Sequence, residues 1–402
     1  MTTTQSITLG LAANWRQFTL LVVINAFVGA MVGLERAALP LVASREFNIA
    51  STTVALAFIA AFGIAKAFTN LVAGRLADRG KRRNVLILGW LVAFTVPPLL
   101  LLARDWSWIV AANVLLGVSQ GLAWSMTVIM KIDLVGPARR GFAMGLNEAA
   151  GYGAIALSAL LGGALASRFG LREGPAWAGM GIAFVGLLLS VLFTRDTSAH
   201  VVLEQSAPPA TPRANGRGAF AIRQAGFVNN LNDGLAWGLF PLLFASAGLS
   251  MERATLLVAT YPAVWGVTQL WTGIWSDRLG RKAMIVWGLL LRGAALVAIA
   301  VLHDFTGWLF GAVALGVGTA MVYPALLAAV ADIAPPSQRG AALGAYRFWR
   351  DMGYVGGALA AGLLSDRFGM NGAIVAVGLL TAASGLVVIA APLESAALEI
   401  RT

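Results

Sequence analysis

Gly74-Arg75-Leu76-Ala77-Asp78-Arg79-Gly80-Lys81-Arg82-Arg83 stands where an apolar run gives way to a polar loop. A close copy, Gly273-Ile274-Trp275-Ser276-Asp277-Arg278-Leu279-Gly280-Arg281-Lys282, follows 199 positions later. Adding 199 to Gly74, Asp78, Arg79 and Arg82 gives Gly273, Asp277, Arg278 and Arg281. The same offset carries Gly117 to Gly316, Asp133 to Asp332, and Pro137, Arg140, Gly141 and Gly145 to Pro336, Arg339, Gly340 and Gly344. It also carries Arg168-Phe169-Gly170 to Arg367-Phe368-Gly369. An offset held constant over four separate stretches means a duplicated unit of about half the chain.

The duplicated unit is apolar. Of the 402 residues 58% are hydrophobic and only 12% charged, against about 25% charged in an ordinary soluble domain. A net charge of +11 would raise nucleic-acid binding in a soluble protein. Here the basic residues sit in short loops between apolar runs, without aromatic interleaving, so they read as orientation signals and not as a nucleic-acid surface. The sequence has no cysteine, which excludes disulfides, thiolate metal sites and thiol catalysis. The first apolar run is too long for a signal-peptide core and is kept as a span.

About 20 apolar residues cross a bilayer. Twelve runs of that kind lie near 18–40, 52–74, 84–103, 107–130, 142–166, 175–194, 222–245, 253–275, 284–303, 307–331, 342–364 and 372–391. The expected fold is therefore an all-α membrane protein with twelve transmembrane helices in two pseudo-symmetric six-helix bundles, residues 1–194 and 222–402. The stretch 195–221 between them, with Pro208-Pro209, Pro212 and Asn215-Gly216, reads as a linker. Loops on the side of the N-terminus carry eighteen Lys and Arg, those on the other side six: Arg45, Arg104, Arg168, Arg172, Arg253 and Arg367. The bias places both termini, and both copies of the repeated motif, in the cytoplasm.

The pattern Gly-x-x-x-Asp-Arg-x-Gly-Arg-Lys/Arg between the second and third spans, repeated between the eighth and ninth, resembles the signature of the major facilitator superfamily. The resemblance covers the whole chain. The second copy matches throughout, and the first departs by placing Lys81 where the pattern has glycine. In that family the loop helps control the switch between outward-open and inward-open states. The resemblance implies a conformational-switch role for Gly74, Asp78, Arg79, Arg82, Gly273, Asp277, Arg278, Gly280 and Arg281. It also implies that Asp78 lies near the positive end of the eleventh span, where a carboxylate is favoured. Proton-driven exporters of the family carry an arginine where this chain has Asn113, and a Gly-Pro pair where it has Ser158-Ala159, so the resemblance to drug exporters is partial. Spans 3, 6, 9 and 12 are outer helices in the family, and the other eight line a central cavity.

An ionisable side chain inside hydrocarbon costs a few kcal/mol and marks a functional candidate. Those present are Glu35, Arg36, Lys66, Glu148, Asp233, Arg292, Arg347, Arg350 and Asp351. All but Arg292 fall on cavity spans. Glu35 and Arg36 could pair or snorkel near the end of span 1, and Arg347 could pair with Asp351 one turn away. Asp233, flanked by Asn229, Asn230 and Asn232, is expected to face the cavity. Polar and aromatic neighbours suited to binding are Gln120, Trp124, Asn147, Tyr152, Trp265, Gln269 and Tyr323. Trp124 and Tyr323 are related by the offset and could face each other across the pseudo-twofold axis. The Gly-x-x-x-Gly pairs 117/121, 141/145 and 340/344 read as close helix packing.

These features point to a monomeric secondary transporter in the cytoplasmic membrane. It would move a small organic solute by alternating access, coupled to protons through Glu148 and Asp233, in the export direction. The alternative is uptake of a small organic anion or zwitterion by proton symport, or an uncoupled facilitator. No cofactor, metal or nucleotide loop is expected, and no enzymatic constellation is present.

Overall fold

Every apolar run becomes helix, because backbone inside hydrocarbon can satisfy its N–H and C=O groups only within its own segment. The computed structural model describes residues 8–79, 81–135, 140–202, 216–333 and 339–392. The first half contains α1 (Leu11–Arg36), short α2 (Leu39–Arg45) and α3 (Thr52–Ala55), then α4 (Ala57–Arg79), α5 (Arg82–Leu102), α6 (Trp106–Val135), α7 (Arg140–Phe169) and α8 (Glu173–Leu192). A single turn, α9 (Ser198–Val202), follows. The second half contains α10 (Gly216–Ser246), α11 (Met251–Leu279), α12 (Arg281–Val301), α13 (Phe305–Ile333) and α14 (Arg339–Ala390). Gly369, at φ 74, divides α14 into two arms and restores the twelve expected helices. Among the described residues, nine segments are long and apolar enough to cross a membrane by composition alone, counting the two arms of α14 as one; α10 and α11 are not among them. Most of the expected linker (203–215) and the side chains of Asp78, Arg79, Gly273 and Asp277 lie outside the described residues.

The duplication is visible in backbone and packing alike. Gly170, at φ 103, closes α7 as Gly369 closes the first arm of α14, a conformation that favours glycine. A Cβ on Gly117 would lie 2.5 Å from the Phe62 carbonyl oxygen, and one on Gly316 would lie 2.8 Å from that of Tyr261, its counterpart 199 positions on. Gly280 takes φ 89 ahead of α12, whereas Lys81 opens α5 at φ −75, which any residue adopts. The departure of the first motif copy therefore costs no strain.

Two spacings of the Gly-x-x-x-Gly type behave differently. Gly117 and Gly121 press on α4 as expected, but Gly145 and Gly344 face open space, so close packing does not explain them. Within the halves α1 packs on α7, α4 on α6, α10 on α14 and α12 on α13; between them α7 meets α11, and α4 meets α14. The outer surface is apolar, with Phe94, Phe184, Trp287 and Leu379 exposed on α5, α8, α12 and the second arm of α14.

The two halves are joined at the end opposite the chain termini. There Asp366 accepts hydrogen bonds from Ser51 Oγ (2.8 Å), Thr52 N (2.7 Å), Thr53 N (3.1 Å) and Thr53 Oγ1 (2.7 Å). A Cβ on Gly163 would lie 2.3 Å from Thr255 Oγ1 across the same seam. Toward the terminal end Gly74, Gly145 and Gly344, on α4, α7 and α14, have no neighbour within 4 Å of such a Cβ. Among the described residues, the two halves are thus bonded together at the far end.

Candidate functional site

The helices that meet across the seam, α4, α7, α11 and α14, bring their polar residues together halfway along their lengths. Asp351 is the hub. Its carboxylate accepts from Asn70 Nδ2 (2.5 Å), Asn230 Nδ2 (3.3 Å) and Arg350 NH1 (3.3 Å). Asn70 belongs to the first half, so this carboxylate bonds both bundles. Arg350 also donates to the Tyr152 hydroxyl at 2.9 Å and lies 4.2 Å over the Tyr323 ring. Arg347 is half-buried and makes no ion pair with Asp351 among the described residues, so the expected pair one turn apart gives way to the sequence neighbour.

Beside this hub runs a chain of four rings. Trp124 meets Tyr152 at 5.6 Å, Tyr152 lies 3.4 Å from Trp265, and Trp265 meets Tyr323 edge-on at 5.8 Å. Trp124 and Tyr323 do not face each other; Tyr152 and Trp265 fill the space between them. Glu148 accepts from Trp124 Nε1 (3.1 Å) and Asn147 Nδ2 (3.2 Å). No Lys or Arg of the described residues reaches it within ion-pair distance. Lys66 sits 5.4 Å over Trp124 and 5.5 Å over Tyr354. Gln120 donates to the Val28 carbonyl at 2.7 Å and braces α6 on α1, while the Gln269 amide nitrogen is buried without a partner.

Three expectations change. Asp233 does not line the seam: it is wholly buried inside the second bundle, where Arg292 donates to it at 3.1 Å and the Tyr261 hydroxyl also bonds it. Asn229 accepts from Arg292 and Asn232 accepts from Thr381, so both turn inward with it. Of that polar group only Asn230 reaches the seam. Second, Glu35 and Arg36 neither pair nor snorkel. Glu35 accepts from Asn113 at 3.2 Å, and Arg36 is 1% exposed with rings of Phe58, Phe62 and Trp237 around it at 5.5, 4.6 and 5.1 Å. Third, Lys131, one residue past the expected span and counted among the eighteen loop cations, is no loop charge. Helix α6 runs five residues past the expected span, and Lys131 is fully buried, donating to the Leu21 carbonyl.

The repeated motif has one described anchor in each half. Arg82 forms a 2.6 Å ion pair with Asp133 and donates to Ser198 of α9, and Asp133 also accepts from Thr197. In the second half Arg281 donates to Ser276. The Asp133 side of this arrangement repeats as Asp332, whose side chain lies outside the described residues.

Residues not singled out from sequence include Asn70, Tyr354 and Trp237. Asn70 had a readable signal, since it follows Lys66 by one helical turn and maps by the offset onto Gln269. Trp237 and Tyr354 carried none, because most aromatics in a membrane protein pack or anchor.

Known proteins give the same picture. An uncharacterized MFS-type transporter of Salmonella typhimurium is 26% identical over 355 residues, covering 84% of this chain and 87% of that protein. Multidrug resistance protein 2 of Bacillus subtilis is 31% identical over 138 residues, 34% of this chain and 32% of that protein. Among solved structures, the bacterial homolog of the human lysosomal transporter Spinster, in its inward-facing unoccupied conformation, has a TM-score of 0.72 at 15% identity, covering 93% of this chain and 96% of its own. The human organic anion transporter MFSD10 (TETRAN) has a TM-score of 0.69 at 17% identity, covering 93% and 99%. The Major Facilitator Superfamily profile matches residues 10–224 and 225–399. With a duplicated six-helix unit, a polar seam between the halves and a family match along its length, the chain belongs to the major facilitator superfamily of membrane transporters.

Proposed function

We propose that this transporter exports a small organic solute across the cytoplasmic membrane in exchange for protons, by alternating access and as a monomer. Residues 1–194 and 222–402 are the two rocking bundles. The linker 195–221 and both termini face the cytoplasm, which makes the closed far end the outer gate. The observation that carries the reading is the seam itself: Asn70 to Asp351 and Tyr152 to Arg350 join opposite bundles at mid-depth, where a rocking motion makes and breaks them. Interactions that differ between two states are what allow a ligand to bias them.

Glu148 is the proton carrier in this scheme. Asp233 and Asp351 each have an arginine on the carboxylate, whereas Glu148 is held by the neutral donors Trp124 and Asn147 and by no cation within ion-pair distance among the described residues. A carboxylate so placed can exchange a proton as its exposure to water changes. Asp233, bonded inside one bundle, is reassigned to structure. The export direction is supported by the 31% identity to Multidrug resistance protein 2 over part of the chain.

The test uses purified protein in liposomes and a panel of organic anions, amino acids and lipophilic cations. An imposed pH gradient drives accumulation of at least one probe. Glu148→Gln lowers that gradient-driven uptake by roughly tenfold or more while leaving counterflow exchange intact. Accumulation that ignores both the gradient and Glu148→Gln overturns the coupling.

A further inference from the structure

Arg36 departs furthest from the usual state of a buried polar group. Such groups nearly always have hydrogen-bond partners, and a buried charge without one is the costliest case. Yet Nε and both terminal nitrogens of Arg36 have no acceptor. The adjacent carboxylate, Glu35, is committed to Asn113. The rings of Phe58, Phe62 and Trp237 engage the guanidinium as a cation but leave its N–H groups unused.

Two more donors stand beside it. The Tyr354 hydroxyl is buried with no partner. Its ring stacks on Trp237 at 5.1 Å and meets Phe62 edge-on at 5.9 Å, so Tyr354 shares two walls with Arg36. Lys66 lies 5.6 Å over Phe62 and 5.5 Å over Tyr354, held by ring faces and by no carboxylate within ion-pair distance among the described residues. The surroundings therefore hold an excess of donors and of positive charge, walled by flat apolar surfaces.

We propose that Arg36, with Lys66 and Tyr354, is the head-group subsite for a small aromatic carboxylate or sulfonate, the substrate class of the transporter. The guanidinium fork matches two oxygens of a planar or tetrahedral oxyanion. Phe58, Phe62 and Trp237 suit the flat body of such a molecule. The walls come from both bundles: Arg36, Phe58, Phe62 and Lys66 from the first, Trp237 and Tyr354 from the second. An anion arriving from the terminal end replaces ring faces with a charged acceptor, and parting of the far end then removes the second pair of walls and releases it. This inference rests on the transporter reading given above.

The experiment is calorimetric titration of the purified full-length chain with benzoate, benzenesulfonate, benzamide and benzylammonium, beside the liposome assay. Benzoate and benzenesulfonate bind; benzamide and benzylammonium bind at least about tenfold more weakly. Arg36→Gln weakens benzoate by about tenfold or more, Arg36→Lys by less because it keeps the charge and loses the fork, and Tyr354→Phe by a few-fold. Should Arg36→Gln fail to fold, the ranking of the four probes on the unaltered protein and the Tyr354→Phe result decide the matter. The proposal is overturned if neither anion binds, if benzamide binds as well as benzoate, or if Arg36→Gln binds benzoate unchanged, which would leave Arg36 as a strut. Probe transport with Arg36-independent binding defeats the subsite and spares the transporter; Arg36-dependent binding without any flux does the reverse.

Discussion

Asp233 and Arg292 are 59 positions apart, and each makes the other tolerable in hydrocarbon. Sequence marks both as anomalous, but a pairing across two helices of one bundle leaves no local spacing to read. Removing one partner of a buried pair strands the other, at about 3–5 kcal/mol. Arg292→Leu and Asp233→Leu are each expected to lower the thermal midpoint in detergent severely, and the double variant to lose less than the sum. Strictly additive losses would deny the coupling. Outside the membrane, burial of Asp196 raises its carboxyl pKa, but bonds from Ser198 and the Arg83 backbone N–H, with the Arg82 charge, outweigh this and hold it below the ordinary range. A depressed folded value contributes stability above the unfolded pKa of about 3.9, lost as pH falls through the folded value. Asp196→Asn is therefore destabilising at pH 7, and the gap to the parent protein closes below about pH 4 in a pH series of unfolding midpoints.

Helix contacts separate glycines that the sequence spaces alike. Gly29 and Gly33 set α1 directly on α7: a Cβ would lie 2.2 Å from the Gly151 carbonyl oxygen in one case and 2.1 Å from Ser158 Oγ in the other. Gly33→Ala is expected to cost about 1–3 kcal/mol through overpacking. Gly145→Ala, which meets nothing, should fall within about ±0.5 kcal/mol of the parent or above it. Equal losses at the two sites would contradict the packing described. A spacing of four reports that two glycines share a helix face; it does not report whether another helix is there. The same limit explains Lys131, which lies one residue beyond the expected span but inside a helix that runs five residues past it, with its ammonium buried. The duplication, by contrast, was legible from end to end, since a constant offset needs no knowledge of contacts.

For the molecule as a whole, the four bonds on Asp366 are the most concentrated polar contact holding the far end shut among the described residues. Hydrogen bonds to a charged acceptor are worth about 1.5–3 kcal/mol each, so Asp366→Ala should move the population toward far-end opening by about tenfold or more. The chain has no native cysteine, so a single cysteine at Leu56, buried against Gly238 of the other bundle, reports that opening directly. Its maleimide labelling is expected to accelerate in Asp366→Ala, and an unchanged rate would remove Asp366 from the gate. Sequence could not indicate which end is shut, because both states satisfy the same hydropathy and charge pattern.

Helix α10 carries Asn229, Asn230, Asn232 and Asp233 into hydrocarbon, and their partners are Arg292, Asp351 and Thr381. All three lie downstream, so the ribosome delivers α10 well before anything exists to neutralise it. This segment has no reason to leave the insertion machinery on its own. The second half is therefore expected to enter lipid as a block, once α12 has delivered Arg292 to Asp233.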